Sequence, residues 1–151
     1  MRITRKAEYA IQALTFLATA KPGELMLSRD IAHQRHIPPK YIAQIILDLS
    51  RAGLVRAVRG AQGGVQLMRP ARSITIRQVL EAIEGPMAIN PCLMSDDVCF
   101  FETRIRVDTG CRLQHVWGEA QAKMLEVLDR SSIADLLPLD LLESVEACEP
   151  A

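Results

Sequence analysis

Two adjacent prolines and a run of glycines restrict most of what residues 28–68 can become. Pro38-Pro39 separates two segments of helical apolar period. Pro39 suits the first turn of a helix, where its missing N–H is no loss. That helix is expected to run to about Arg51, with Gly53 just past its end. Ile42, Ile45, Ile46 and Leu49 form its apolar stripe, and Lys40, Tyr41, Gln44, Asp48 and Arg51 its polar one. Ahead of it, Ser28 can cap a short helix through about Gln34, with Ile31 and Ala32 inward. Behind it, Leu54-Val55-Arg56-Ala57-Val58 and Val65-Gln66-Leu67-Met68 read as short strands around Arg59-Gly60-Ala61-Gln62-Gly63-Gly64. Two helices joined by a short turn and followed by a Gly-tipped hairpin make a helix-turn-helix with a wing. A phosphate-cradling loop is the rival reading of the glycines. The P-loop lysine is missing, however, and no helix opens after them.

Charge points the same way. The chain is neutral overall, yet residues 1–72 carry twelve Lys and Arg against four acids, a net +8. Residues 73–151 carry six against fourteen, a net −8. A polyanion is thus expected to meet the first half only. Neither the opening MRITRKAEYA nor any later stretch has the apolar run of a secretion signal or a membrane span, so a cytoplasmic location away from membranes is expected.

The flanks are helical. Lys6 to Ala20 places Ala7, Ala10, Ile11, Leu14, Leu17 and Ala18 on one face, and Lys21-Pro22-Gly23 ends it. Ile74 to Glu84 turns Val79, Leu80 and Ile83 inward before Gly85-Pro86. From Arg112 to Arg130 a long helix carries Leu113, Val116, Trp117, Ala120, Met124, Val127 and Leu128. So wide an apolar face suits pairing with a second copy; packing wholly within the monomer is the other reading. Ser131-Ser132 cap a short turn from Ile133 to Leu137, and an acidic tail follows. The expected fold is mainly α with a small β-hairpin wing: a winged helix-turn-helix plus a long C-terminal dimerisation helix. Its parts are a DNA-binding domain at 1–85, a cysteine-bearing loop at 86–111, and the dimerisation helix with its tail at 112–151.

That loop holds Cys92, Cys99 and Cys111 among polar residues, with His115 shortly after. Packing does not account for three thiols there, because a cysteine that only packs is among the most buried of residues. In a reducing compartment the cluster reads as metal-binding or redox-active. Structural zinc sites usually include two cysteines two to four residues apart, and none are so spaced here. A zinc centre of three cysteines with His115 and a thiol–disulfide pair both stay open as alternatives. Cys148, in the tail, reads as incidental. No histidine is spaced to serve a nucleophile, so an enzyme is not expected.

With these parts placed, the chain resembles the IscR, NsrR and RirA group of bacterial transcription regulators, the Rrf-two type. The resemblance rests on MRITRKAEYAIQAL, PPKYIAQIILDLSRAGLV, VRGAQGGVQL, ITIRQVLEAIEG and the late cysteines, in family order over nearly the whole chain. It implies a homodimer that binds a palindromic operator in double-stranded DNA. It also implies an iron–sulfur cluster, of two or four irons, on Cys92, Cys99 and Cys111, whose state sets DNA affinity. The cysteine spacings are wider than the family's. IscR-like members add a histidine three residues after the last cysteine, where this chain has Gln114. His115 lies one step on, about 100° round the helix, and is the second choice. Other members use an acid from the partner's first helix, a position held here by Glu8, and some a histidine one turn later, here Gln12.

In a winged-helix reader the helix from Pro39 would enter the major groove and Arg59 the minor groove. The expected DNA-facing set is Arg2, Ser28, Pro39, Lys40, Tyr41, Gln44, Arg51, Arg59, Gly60 and Gln62. Lys40 suits a phosphate or guanine and Gln44 an adenine, while Asp48 is expected to repel phosphate and tilt the helix end outward.

Overall fold

The structure is a computed structural model that describes residues 3–21, 23–60, 62–94, 106–107 and 110–138. Helix α1 spans Arg5–Leu17, capped by Thr4, whose side chain accepts from the Ala7 amide. It stops three residues short of the sequence expectation. The chain tightens after Leu17, and the Thr19 and Ala20 amides bond three residues back. Helices α2 (Ser28–Gln34) and α3 (Pro39–Arg51) follow. Ser28 lies inside α2 rather than capping it; Leu27 holds the cap position and supplies no side-chain bond.

Strands β1 (Val55–Val58) and β2 (Gly64–Leu67) form an antiparallel hairpin, with Val55 opposite Leu67 and Val58 opposite Gly64. A third piece of extended chain joins it. Met26 and Val65 exchange both backbone bonds, at 2.9 and 2.8 Å, which ties the segment before α2 to the wing. Gly64 permits this approach, and Gly63 the tight turn of the hairpin. A Cβ on Gly64 would lie 2.9 Å from the Leu25 Cβ and from the Met26 carbonyl oxygen, and one on Gly63 would run into the carbonyl of Val58.

Helix α4 is Ile76–Glu84, opened by a capping box in which Thr75 and Gln78 satisfy each other's backbone amides. Past a 3-10 turn at Pro91–Leu93 lie the two-residue strands β3 (Arg106–Val107) and β4 (Gly110–Cys111), then helix α5 (Arg112–Arg130). The chain then returns. Ile133 donates its amide to the Ile74 carbonyl at 2.9 Å, and Ile76 donates to that of Ser131 at 2.8 Å.

One core unites Leu14 of α1, Ile31 of α2, Ile45 and Leu49 of α3, Val55 and Val65 of the hairpin, and Val79 of α4. Ile133, Ala134 and Leu137 are buried in the same core, so the segment after α5 is anchored against the helices and hairpin that precede it. Helix α5 differs from the rest: none of its nineteen residues is buried. Leu113, Trp117, Met124 and Leu128 are half-covered, and Val116 and Val127 stand 54% and 46% exposed. No helix among the described residues is long and apolar enough to cross a membrane.

Candidate nucleic-acid interface and cysteine centre

The exposed side of α3 starts at Pro39 and Lys40 and continues through Gln44 to Arg51. Burial of Ile42, Ile45 and Leu49 against the core fixes which side faces out. The Lys40 ammonium sits 5.1 Å from the centre of the Tyr41 ring. Tyr41 is half-buried, and its ring meets that of Tyr9 at 5.5 Å. The ring thus seats α3 on α1. In the wing, Arg56, Arg59, Gly60 and Gln62 are all exposed, and Ser28 is half-buried at the start of α2. Arg2 lies outside the described residues.

Asp48 is not the free acid that the sequence suggested. Only 14% of its side chain is exposed, and the Lys6 ammonium of α1 reaches one of its oxygens at 2.6 Å. The Gln44 amide donates to the other oxygen at 2.8 Å, and an Arg51 nitrogen lies 3.8 Å from that oxygen. Burial pushes the Asp48 carboxyl up. The hydrogen bonds from Lys6 and Gln44 and the charges of Lys6 and Arg51 outweigh burial and hold it below the ordinary carboxylate value. Its charge is therefore neutralised by a cation from another helix and does not face phosphate bare. Forty-two positions separate Lys6 from Asp48, and no periodicity could have paired them. Arg35 is also drawn inward, 5.2 Å over the Phe16 ring.

Of the thiols, Cys92 and Cys111 are free and half-buried. Cys99 and Cys148 lie outside the described residues. Cys92 sits in the 3-10 turn, its amide donating to the Asn90 side chain at 3.2 Å. Cys111 ends β4 and stands at the N-cap of α5. Two glutamines of α5 strap the earlier segment along the helix. Gln114 donates to the Cys92 carbonyl at 2.9 Å, and Gln121, two turns on, accepts from the Ile89 amide at 3.0 Å. Position 114 is therefore the one that meets Cys92, while His115 is exposed. Glu8 is exposed as well and pairs with Arg5 at 3.0 Å. Among the described residues no three Cys, His, Asp or Glu side chains converge as a metal site within one chain. Sequence reasoning missed the Gln114 strap and the Lys6–Asp48 pair; each joins elements that only the fold brings together.

A family model described as an iron-dependent transcriptional regulator, Rrf2, matches residues 3–138. The chain belongs to the Rrf2 family. It is a transcriptional regulator and not an enzyme, with the winged helix of its relatives. A helix-turn-helix-type transcriptional regulator of Mycobacterium tuberculosis is 35% identical over 136 residues, spanning 90% of this chain and 81% of that one. Among solved structures, CymR, the global cysteine regulator of B. subtilis, superposes with a TM-score of 0.71 at 25% identity, covering 90% of this chain and 95% of that one. IscR of T. potens superposes with a TM-score of 0.67 at 27% identity, covering 100% and 93%.

Proposed function

We propose that this Rrf2 regulator works in the cytoplasm as a homodimer on a palindromic operator. Its operator affinity follows an iron–sulfur cluster held by Cys92, Cys99, Cys111 and the partner subunit's Glu8. One observation carries the reading: Gln114, one turn into α5, bonds to Cys92 while Cys111 stands at the start of the same helix. The strap ties the backbone of Cys92 to the helix that Cys111 opens, and both thiols are free and partly accessible. Thiolates are the usual ligands of such clusters, so the donors present suit one of two or four irons. The exposed Glu8 suits an oxygen ligand offered to a neighbouring copy. When bound, the cluster supplies a centre that changes charge on oxidation and is lost to nitric oxide or when iron or cluster supply fails. Cys92 and Cys111 would hold it between the loop and α5, and the partner subunit's Glu8 would tie that end to the partner's α1.

The dimer reading draws on α5, whose apolar stripe is left without a full cover in the single chain. On DNA, Lys40, Arg51 and Arg59 contribute phosphate and groove contacts, with affinity falling as salt rises. The test is anaerobic purification with visible absorption and iron and acid-labile sulfide assays. Operator titration at fixed salt follows, with cluster-loaded and cluster-free protein. Near-equal iron and sulfide, and loss of both in Cys92→Ser or Cys111→Ser, are expected. Equal operator affinity with and without the cluster overturns the switch. A second reading, a thiol–disulfide switch between Cys92 and Cys111, is favoured by their free state and by the likeness to a cysteine regulator. Colourless protein with neither iron nor zinc, and affinity that responds to oxidant, would establish it; bound zinc would replace both.

A further inference from the structure

Gln44 is the exposed amide best placed on α3 to read a base, yet it does not project freely. It is bonded to Asp48 one turn on, and Asp48 is gripped by Lys6 from a different helix. An ionised carboxylate only accepts hydrogen bonds. It therefore dictates which end of the Gln44 amide faces it: the nitrogen turns to Asp48, and the flipped amide would set oxygen against oxygen. The carbonyl oxygen and the second N–H are left to the outside. Adenine offers in the major groove an N6 donor beside an N7 acceptor, the complement of that pair.

We propose that Asp48, braced by Lys6, is a positioning residue for base readout: it fixes the Gln44 amide so that its acceptor and remaining donor select adenine at one operator position. The inference rests on the DNA-binding reading above and adds to it the source of one base preference. Lys6 supplies rigidity. Its side chain is 26% exposed and its ammonium lies 2.6 Å from the carboxylate of Asp48, whose side chain is 14% exposed, so the pair is partly shielded from water and salt. Arg51, on the same helix, adds positive charge at 3.8 Å and keeps Asp48 ionised. Without Asp48, the Gln44 side chain must be ordered when DNA binds. Ordering one such side chain lowers the preference it carries by about five-fold.

The experiment selects bound duplexes from a random library with the full-length protein and sequences them. Wild type, Gln44→Ala, Asp48→Ala, Asp48→Asn and the Gln44→Ala/Asp48→Ala double variant are compared, with circular dichroism melts as a check on folding. Gln44→Ala is expected to erase an adenine preference at one position per half-site. Asp48→Ala is expected to weaken that same preference by about five-fold, leave the other positions unchanged, and raise affinity for all sequences by releasing the Lys6 charge that Asp48 neutralises. The double variant should lose no more at that position than Gln44→Ala alone. Asp48→Asn keeps an acceptor for Gln44 and should fall between wild type and Asp48→Ala; it also carries the test should Asp48→Ala not fold. An unchanged adenine preference in the Asp48 variants, an additive loss in the double variant, or no positional loss in Gln44→Ala overturns the inference while leaving the regulator reading intact. If wild type enriches no sequence, it is the DNA-binding reading that fails.

Discussion

Truncating Val116 and Val127 to alanine should weaken the dimer by roughly two orders of magnitude without unfolding the protomer. The size follows from how little of α5 the single chain covers. Each change removes two methyl groups, worth about 1.6 kcal/mol if wholly buried, at about 0.8 per carbon. Val116 and Val127 are 54% and 46% exposed, so half of that burial is still to be gained on association. A two-fold interface presents both residues from both protomers. Four side chains at about 0.8 kcal/mol come to about 3 kcal/mol, or a factor near 100 in Kd. Sedimentation equilibrium across a dilution series measures it. Trp117, the sole tryptophan, lies on the same helix and gives a second readout through its emission. Leu47→Ala is the control, because Leu47 is 43% exposed but sits on α3 and should leave association untouched. A wild-type protein that stays monomeric at high micromolar concentration, or a dimer indifferent to both truncations, refutes α5 as the interface.

Two further outcomes follow from single residues. Gly63→Ala drives a methyl group into the Val58 carbonyl, so the hairpin should lose about 1–3 kcal/mol in a denaturant titration, with weaker operator binding as the wing shifts. Asp48 sets a pH dependence whose sign is fixed by its lowered pKa. The stabilisation is fully present above the unfolded-state value near 4 and disappears as pH falls through the lower folded value. Asp48→Asn should therefore be about 0.5–1 kcal/mol less stable than wild type at neutral pH and converge with it in strong acid. A constant gap between the two melts at every pH contradicts the ion pair.

The helix-turn-helix and its wing were legible in the sequence because their signals are local. Pro39 opens α3 where expected, helical periodicity names Ile42, Ile45 and Leu49 as its buried side, and a Gly-rich tip separates β1 from β2. What escaped was whatever depends on distant segments meeting. Met26 looks like loop until Val65 pairs with it, and Ile133 looks like the start of a short turn until Ile74 accepts its amide. The stripe on α3 places Asp48 with the polar residues, which is correct, yet whether that acid repels phosphate or is neutralised depends on Lys6 from α1. At the cysteine centre the thiols are visible as residue types, whereas the contact between Gln114 and Cys92 needs α5 folded beside the Pro91–Leu93 turn.

The first turn of α1 is where the proposed sensing and reading functions meet. The Thr4 amide donates to Glu84 at the end of α4 at 2.8 Å, and Lys6 grips Asp48 on α3. Glu8 comes two residues after Lys6, about 200° further round the helix, and so points away from α3. One turn thus holds two ties to neighbouring helices and one outward acid. A ligand bond formed at Glu8 by a neighbouring copy would act on a turn that cannot move without shifting Lys6, and with it the brace on Gln44. Cluster gain or loss could then alter sequence preference as well as overall affinity. A change in pairing at Glu8 would reach α3 through the charge-assisted Lys6–Asp48 hydrogen bond, with no loop between to absorb the displacement.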